Sequence, residues 1–373
     1  MHLKFINDYE QISSQREQWD AAAGPFPFFR WNWMANWFKC MGQDLELALL
    51  VAVDESDNWI GIAPWCIDSK TFSRRLRFLG SGTACSDYLD LICQPQYSRK
   101  FAEAASDWIV DNVGNPNTLG RLDAIDFEGI TTSNPITQYL CDLLDAHGLQ
   151  SHSNELEGGW AVDLPSTWDE LNSSFSKSMR RKTKKAVQRL ADDSTQIVST
   201  KNQPLETLWP IFVDLHQRRR NMVGQAGCFA DSNFDDFLYQ ASKGLVAEGK
   251  AELTVIKRDN IPFAAMLLLN DDDCVYMYQS GMDCQRLNLE PGYQIATHSI
   301  RNSIELGFKK FDFLRGDEPY KARWNTSRIP ISRTRFIPSS SVAKIKHSIW
   351  LTGKSLKLRF TSGVPESSSD SDT

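Results

Sequence analysis

The spacing of apolar residues predicts two series of elements with the same order in the two halves of the chain. In the first half, apolar runs at 45–53 and 59–67 flank a short polar segment, which is typical of a β-hairpin. The elements that follow are two strands, a helix with an apolar stripe and a last strand, at 75–79, 88–93, 101–109 and 122–127. A helix with buried aromatic residues is predicted ahead of them, at 31–38.

The same order returns after residue 250. Apolar runs at 251–257 and 262–269 flank a tight turn, and they precede a strand, a helix and a strand at 274–280, 291–306 and 310–314. A helical crossover joins parallel strands, so each half should form a mixed, mostly antiparallel sheet flanked by helices. This internal repeat predicts an α/β protein with two domains of like topology. The expected boundaries are 1–160 and 161–345, followed by a C-terminal segment, 346–373, that is largely a disordered tail, because it is Ser/Asp-rich and almost without apolar residues from Thr361 onward.

A strongly basic helix is predicted between the halves. Its start is marked by a capping box, Thr167-x-x-Glu170. Seven cations follow without an acid among them: Lys177, Arg180, Arg181, Lys182, Lys184, Lys185 and Arg189. A solvated face is one interpretation, but uncompensated cations repel one another and favour an anionic partner. A second helix ends in Arg218-Arg219-Arg220, so the candidate anion-binding residues are Arg180, Arg181, Lys184, Lys185 and Arg219.

Composition limits the classes of function. The 373 residues include 41 Lys and Arg against 47 Asp and Glu, a formal charge of −6, which argues against nucleic acid binding as the main role. The first residues lack an apolar signal region, and no stretch approaches about 18 uninterrupted apolar residues, so a cytoplasmic protein without a membrane span is expected. The eight cysteines are scattered without zinc-ligand spacing, and no metal site is expected.

The densest polar chemistry follows the aromatic strand that ends at Leu314. Gly316 breaks the strand, and two acids, a phenol and two cations follow within a few residues: Asp317, Glu318, Tyr320, Lys321 and Arg323. An ordinary solvated turn is the alternative, but Trp324 and the aromatic strand anchor both ends of this loop to a core. Proton acceptors, a proton donor and anion-binding groups therefore lie together.

This region also carries a resemblance to a known family. The segment 312–317, the pair Tyr320-Lys321 and Trp324, preceded by 278–283 and by Pro291-Gly292, resembles the CelD-like, FemAB-related branch of the GNAT acyltransferases. The resemblance implies a tandem GNAT fold. It also implies acyl transfer to an amino group of a small molecule or of a sugar or polysaccharide precursor.

Acyl transfer to an amine needs a proton acceptor, a proton donor and a group that stabilises the oxyanion, and the loop offers candidates for each. Asp317 or Glu318 would accept the amine proton, Tyr320 would protonate the leaving group, and Lys321 or a backbone amide would hold the oxyanion. By resemblance, Asp283 faces the same crevice as a further catalytic candidate. The substrate-binding candidates are Arg315, Glu318, Arg323, Trp324, Tyr278 and Gln279.

The donor is expected from the resemblance to be an acyl-CoA, commonly acetyl-CoA. Relatives that use it carry Gln/Arg-x-x-Gly-x-Gly/Ala at a helix start, whereas the corresponding segment here, 286–292, retains only Arg286 and Gly292. These two residues and Tyr293 are the cofactor-binding candidates. Two alternatives stay open: an aminoacyl-tRNA donor held by the basic helix, and a non-catalytic module that recognises an anionic glycan. No residue pattern selects the acceptor.

Overall fold

The structure is a computed structural model that describes residues 1–69, 73–131 and 135–361, with the backbone alone described for 353–361. The strands are β1 (His2–Ile6), β2 (Leu45–Leu47), β3 (Leu49–Val53), β4 (Trp59–Ala63), β5 (Trp65–Asp68), β6 (Arg75–Phe78), β7 (Ile92–Cys93), β8 (Ala124–Thr131), β9 (Gln150–Glu155), β10 (Gly159–Asp163), β11 (Thr195–Ser199), β12 (Ala251–Arg258), β13 (Ile261–Asn270), β14 (Cys274–Met282), β15 (Lys310–Arg315), β16 (Ser327–Ile329) and β17 (Ile331–Ile337).

The helices are α1 (Glu10–Ser13), α2 (Arg16–Ala23), α3 (Trp31–Met41), α4 (Ser98–Asn112), α5 (Pro135–Ala146), α6 (Trp168–Ser174), α7 (Lys177–Leu190), α8 (Leu205–Met222), α9 (Ser232–Ala247), α10 (Pro291–Glu305), α11 (Pro319–Ala322) and α12 (Ser341–Thr361). Short 3-10 helices occur at Pro27–Phe29, Pro95–Tyr97, Cys228–Ala230 and Cys284–Leu289.

The first half of the chain builds a sheet in the order β2-β5-β6-β8-β17-β9, which we call the N-sheet. The predicted hairpin is long and bent, so β3 and β4 pair in a separate sheet with β1 and β7. Its turn is closed by the Asp54 carboxylate, which accepts hydrogen bonds from the backbone amides of Ser56 and Asn58 at 2.8 and 2.9 Å. Helix α4 crosses over from this region, and β6 and β8 are parallel.

The second half repeats this order in a sheet that runs β11-β12-β13-β14-β15-β10-β16, the C-sheet. Strands β12, β13 and β14 are antiparallel, α10 crosses over, and β15 lies parallel to β14. The predicted fold class, two mixed sheets of like topology flanked by helices, is confirmed. The predicted strand at 88–93 was wrong over most of its length, because Tyr88 has a left-handed backbone (φ 60°) and only Ile92–Cys93 pairs as a strand.

Each sheet is completed by a strand from the other half of the chain. Strand β10 pairs antiparallel with β15 in the C-sheet, and β17 pairs antiparallel with β8 in the N-sheet. The expected boundary at residue 160 therefore falls inside β10, which belongs to the C-sheet. The two halves share backbone hydrogen bonds, and neither sheet is complete within one half.

Two apolar cores lie on opposite faces of the C-sheet. The larger core contains the aromatic residues of α3 and extends to α8 and α9, where Trp33 packs edge-on against Tyr278 with ring centres 5.0 Å apart. The smaller core lies under α7 and α10 and includes Phe311, Phe313 and Trp324. The alternation along β15 thus divides its side chains between the cores, as the sequence pattern predicts.

The chain continues beyond β17 as helix α12. Within the segment 346–373, the disordered tail was expected from Thr361 onward, and the structure is helical as far as Thr361. The start of this helix is held by Ala343, which is fully buried, and by His347, whose ring stacks on Trp350 with ring centres 5.6 Å apart. These apolar and aromatic contacts stabilise the first turns of the helix. Residues 362–373 lie outside the described residues.

Candidate active site

Strands β14 and β15 separate from each other in the middle of the C-sheet. Their parallel register covers Cys274↔Lys310, Val275↔Phe311 and Tyr276↔Asp312, whereas β14 continues to Met282. Beyond the last pair β14 also carries a bulge, since Leu267 faces Gln279 but Leu268 faces Met277. In the described part of the chain, the edge of β14 that faces β15 thus has no strand partner after Tyr276. Backbone donors and acceptors on that edge are available to a ligand.

A pocket of about 350 Å³ opens where the two strands part. Its walls are mostly apolar and aromatic, and its rim carries two cations, Lys182 from α7 and Arg219 from α8. The principal apolar lining comes from Met266, Met277, Met282, Tyr293, Tyr320 and Trp324. A pocket of this make-up suits a ligand with an apolar end and an anionic end.

The first turn of α10 forms one wall of this pocket. Glu290 precedes the helix with a left-handed backbone (φ 54°), Pro291 occupies the first turn, and Gly292 lines the pocket. A Cβ atom placed on Gly292 would meet only the Cε of Met282, at 3.4 Å, so the space beside this glycine is open. The backbone amides of a helix start attract anions. The candidates Gly292 and Tyr293 therefore lie at a suitable place for a phosphorylated ligand.

Three cations of the basic helix α7 hold the structure together. The side chains of Lys185 and Arg189 each lie 3.0 Å from the Glu290 carboxylate, and Arg189 also donates to the backbone oxygen of Leu289 at 2.6 Å. Arg180 donates to the carbonyls at the end of α6, those of Ser173 and Phe175. The sequence predicted cations without a balancing acid, but Glu290 supplies one from another segment.

Other cations of α7 face solvent or the pocket. Arg181 and Lys184 are exposed. The ammonium of Lys182 lies 3.3 Å from the Tyr293 hydroxyl and 4.5 Å from the centre of its ring, on the pocket wall. Lys182 was not selected as a site residue from the sequence, because seven neighbouring cations gave no indication of which one faces α10.

Near its end, β15 has an unusual backbone conformation at Leu314 (φ 58°), which costs free energy for a branched residue. Polar groups hold this conformation from both sides. The Leu314 amide donates to the Asp312 carboxylate at 2.7 Å, and the Lys321 ammonium donates to the Leu314 carbonyl at 3.1 Å. The Tyr88 hydroxyl, from the first half of the chain, donates to the same carboxylate at 2.9 Å.

Lys321 is almost completely buried, at 2% exposure. Its ammonium also donates to the Arg315 carbonyl at 2.8 Å and lies 3.0 Å from the Glu318 carboxylate. With the Leu314 carbonyl these are three acceptors for three N–H donors. An oxyanion, which the sequence led us to expect as its partner, would have to displace one of them.

Two of the substrate-binding candidates join the halves of the protein. Arg315 pairs with the buried Asp87 at 2.7 Å, and its backbone amide donates to the same carboxylate at 2.8 Å. Burial raises the pKa of Asp87, and the Arg315 charge opposes that rise. The Tyr278 hydroxyl donates to the Ala84 carbonyl at 2.7 Å. These long-range partners carry no local sequence signal.

Gln279 lies one residue beyond Tyr278 and contacts His216 of α8. Burial lowers the pKa of His216 to about 4, so its ring is neutral at physiological pH. The backbone of β14 approaches α8 closely here, since a Cβ on Gly281 would lie 2.6 Å from the His216 backbone nitrogen. Helix α8 is thereby fixed against β14, with Arg219 one turn further along toward the pocket.

The remaining charged candidates have partners at the margin of the site. Asp317 accepts hydrogen bonds from Trp160 Nε1 at 3.0 Å and from Arg328 Nε at 3.2 Å, and the bond from Arg328 holds its pKa below the usual value. Asp283 is buried, caps the following 3-10 helix through the Gln285 amide, and lies 3.6 Å from Arg286.

Tyr320 brings the one ionisable phenol of the predicted loop to the pocket wall. Burial raises its pKa above the usual value, and the neighbouring Glu318 charge adds to that rise. The phenol therefore keeps its proton at neutral pH. Trp324 is buried beside it as part of the floor, and Arg323 donates to the Tyr293 hydroxyl at 3.1 Å. The structure thus brings together Tyr320, Trp324, Gly292, Tyr293 and Arg219.

A larger cavity, of about 550 Å³, lies on the other face of the C-sheet, between the two halves. Its lining includes Tyr88, Asp90 and Asp312 but not Tyr320. These two carboxylates are engaged with the protein, since Asp90 accepts from the Leu91 and Thr137 amides. By size alone the larger cavity would be the better candidate for the active site. The smaller pocket is preferred because Tyr320 of the polar loop, the unpaired edge of β14 and the start of α10 all line it.

Comparisons with known proteins agree with this geometry. Residues 173–322 match the family model described as "Acetyltransferase (GNAT) domain". That region contains the basic helix, both strands that part, α10 and the polar loop. No curated protein matches the sequence. Residues 173–322 are therefore similar to a GNAT acetyltransferase domain.

Solved structures show the same fold along most of the chain. The crystal structure of FemX superposes with a TM-score of 0.65 at 13% identity, over 92% of this chain and 99% of that one. A conserved protein of unknown function from Bacteroides thetaiotaomicron gives 0.58 at 10% identity, over 90% and 100%. L-PGS from Bacillus licheniformis gives 0.54 at 10% identity, over 88% and 93%. With the repeated topology, the protein has a tandem GNAT-like fold.

Proposed function

We propose that the protein is an N-acyltransferase that takes an acyl group from acyl-CoA and transfers it to an amino group of a small molecule or of a sugar or polysaccharide precursor. The observation that carries the proposal is the pocket between the parted strands β14 and β15, bounded by the start of α10. The match to a GNAT domain over 173–322 supports the class of reaction.

The pocket offers complementary surfaces to each part of such a donor. An extended arm with amide groups can add to the unpaired edge of β14 through backbone hydrogen bonds. The diphosphate end would lie near the Gly292 amide and near Lys182 and Arg219, since the next two amides of the α10 first turn donate to the Glu290 carbonyl. The acyl group would then contact the methionine side chains Met266 and Met277.

The chemistry requires one bond to form and one to break at the thioester carbon. The amine nitrogen attacks this carbon, the tetrahedral intermediate collapses, and the thiolate leaves and takes the proton of Tyr320. We assign the acceptance of the amine proton to Glu318, because its charge acts on Tyr320 at the pocket wall. Glu318 contacts the Lys321 ammonium, whereas Asp317 accepts from two donors, Arg328 and Trp160, at the margin of the site. Lys321 serves this site by holding Leu314 and Arg315 in place.

An aminoacyl-tRNA donor is the second candidate. The exposed cations Arg181 and Lys184 on α7 favour it, because they form a basic surface beside the pocket. The FemX structure shares the fold, and at 13% identity this similarity concerns the fold alone. The two donors would use different residues of α7. Acyl-CoA in the pocket would contact Lys182, whereas tRNA on the surface would contact Lys184.

Isothermal titration with acetyl-CoA tests the proposal. We expect binding by the wild-type protein and a loss of affinity of at least about tenfold in Lys182→Met/Arg219→Met, because both charges lie on the pocket rim. Lys184→Met is the matched control and should bind like wild type. A protein that fails to bind acetyl-CoA but binds tRNA, with Lys184→Met weakening that binding, would establish the second candidate. Binding of neither would leave the non-catalytic module.

A further inference from the structure

Helix α12 has one face against the protein and one face in solvent. Ala343, His347 and Trp350 face the body of the protein, where Trp350 lies over the Arg335 guanidinium at 4.8 Å. Lys346 ties the same region to Asp123 at 2.6 Å. These contacts fix the rotation of the helix about its axis.

The opposite face presents large apolar side chains to solvent. Val342, Ile345 and Ile349 are 42%, 61% and 67% exposed, and their spacing of three and four residues places them in one stripe. The sequence continues this spacing with Leu356 and Phe360. At about 100° per residue the five positions fall within a sector of about 60°. Scattered exposed apolar residues are ordinary, but a continuous stripe along a helix indicates a binding surface.

Charge identifies the kind of partner. The helix segment 341–361 contains five cations and no acid, in a chain with a formal charge of −6. The cations are Lys344, Lys346, Lys354, Lys357 and Arg359. Pairing with the same helix of a second copy would place cations against cations. The residues that follow, 362–373, contain Val364 as their one large apolar side chain.

We propose that α12 is an interfacial anchor that lies on a bilayer surface rich in anionic lipids. The apolar stripe enters the boundary between headgroups and acyl chains, and Lys344 and Arg359, whose positions lie off the face that packs on the protein, meet the lipid phosphates, which is how basic amphipathic helices bind membranes. At 21 residues the helix is about 31 Å long and lies in the plane of the surface. Within the described residues no helix is long and apolar enough to cross a membrane.

The proposal does not depend on acyl transfer, and vesicle flotation of the full chain tests it. We expect the protein to float with phosphatidylcholine vesicles that contain phosphatidylglycerol and to remain unbound with phosphatidylcholine alone. Ile345→Asp/Ile349→Asp should lower the bound fraction by about tenfold. The matched control, Ile261→Asp/Leu306→Asp, changes two exposed apolar residues elsewhere and should float like wild type. Lys344→Gln/Arg359→Gln should reduce binding and its dependence on salt.

Two results would overturn the anchor. One is a wild-type protein that stays unbound on the anionic vesicles, and the other is a stripe variant that floats as well as wild type. Light scattering on the same samples tests whether a second copy of the chain covers the stripe instead. A dimeric wild type and a monomeric stripe variant, with no vesicle binding by either, would assign the stripe to a second copy. Unchanged melting temperatures would show that the variants are folded.

Discussion

Leu314 shows how single residues build the site, because its left-handed backbone is held by Asp312 on one side and Lys321 on the other. The turn at Leu314 sends the loop back along the pocket, so that Tyr320 and Trp324 reach the wall. Both holding groups are buried, and each engages the main chain directly. Removing either one leaves a strained residue without its partner.

Lys321→Met should lower the free energy of unfolding by about 1–3 kcal/mol, the usual cost of leaving buried acceptors unsatisfied. The Leu314 and Arg315 carbonyls would lose their donor, and Glu318 its ion pair. Urea unfolding measures the change, with Lys184→Met as the exposed control. If Lys321→Met unfolds like wild type and only its turnover falls, the lysine acts on the reaction directly.

Tyr320→Phe should lower turnover by about 10²–10³ with little change in the melting temperature, because it removes the proton donor and little volume. Release of free CoA thiol with an accepted amine measures the turnover. Glu318→Gln should also lower turnover, whereas Asp317→Asn should leave it within a few-fold of wild type. An equal loss in both acid variants would contradict the assignment of the proton acceptor.

Asp312 predicts a pH dependence of stability. Burial raises the pKa of its carboxyl from 3.8 to about 7, so the folded protein binds more protons than the unfolded chain between these values. The stability that comes from this group is therefore full below about pH 4 and is lost as the pH rises through about 7. Asp312→Asn stays neutral, and its melting temperature relative to wild type should rise between about pH 5 and about pH 8. A constant difference would show that Asp312 does not titrate in this range.

The sequence located the polar loop and the helix start, since both carry local signals: glycine breaks, a proline at a first turn and clustered polar residues. It did not reveal which groups in the loop are already engaged. Asp87 and Tyr88 contact Arg315 and Asp312 across more than 220 residues of chain. Such partners are set by tertiary packing, which local patterns do not encode.

At the scale of elements, the periodic patterns located helices, but the single basic helix expected from Thr167 was wrong: it is two helices, because Phe175 has an extended backbone and Ser176 caps α7 separately. The capping box before α6 is present, with the Glu170 amide donating to the Thr167 hydroxyl at 3.3 Å. The strand expected at 88–93 failed because its apolar residues fill a core from an irregular segment, and apolar runs of that length do not distinguish the two. The separation of β14 from β15 could not be predicted either, because the apolar pattern of β15 is that of one uninterrupted strand.

The close approach of α8 to β14 at Gly281 provides a test of the element packing. Gly281→Ala should destabilise the protein by about 1–3 kcal/mol, because the new methyl group would meet the backbones of Leu215 and His216 at under 3 Å. Gly292→Ala is the matched control, since it meets only a flexible methionine end at 3.4 Å. Equal unfolding curves for the two variants in urea would contradict the described packing.

At the scale of the whole molecule, the repeat and the exchanged strands belong together. Strand order within each half is a local property and could be predicted from apolar spacing. The exchange of β10 and β17 is not local, because it depends on which sheet edge each strand reaches after α5 or α11. The two halves are therefore joined by backbone pairing as well as by the Asp87–Arg315 ion pair.

The central claim is that the pocket between β14 and β15 holds the acyl donor. Hydrogen–deuterium exchange with and without acetyl-CoA tests it most directly, because it reports where the ligand orders the backbone. The account predicts slower exchange in peptides that cover 277–296 and unchanged exchange at 88–93, beside the larger cavity. Binding of acetyl-CoA that leaves 277–296 unchanged, or that slows exchange at 88–93 instead, would contradict it.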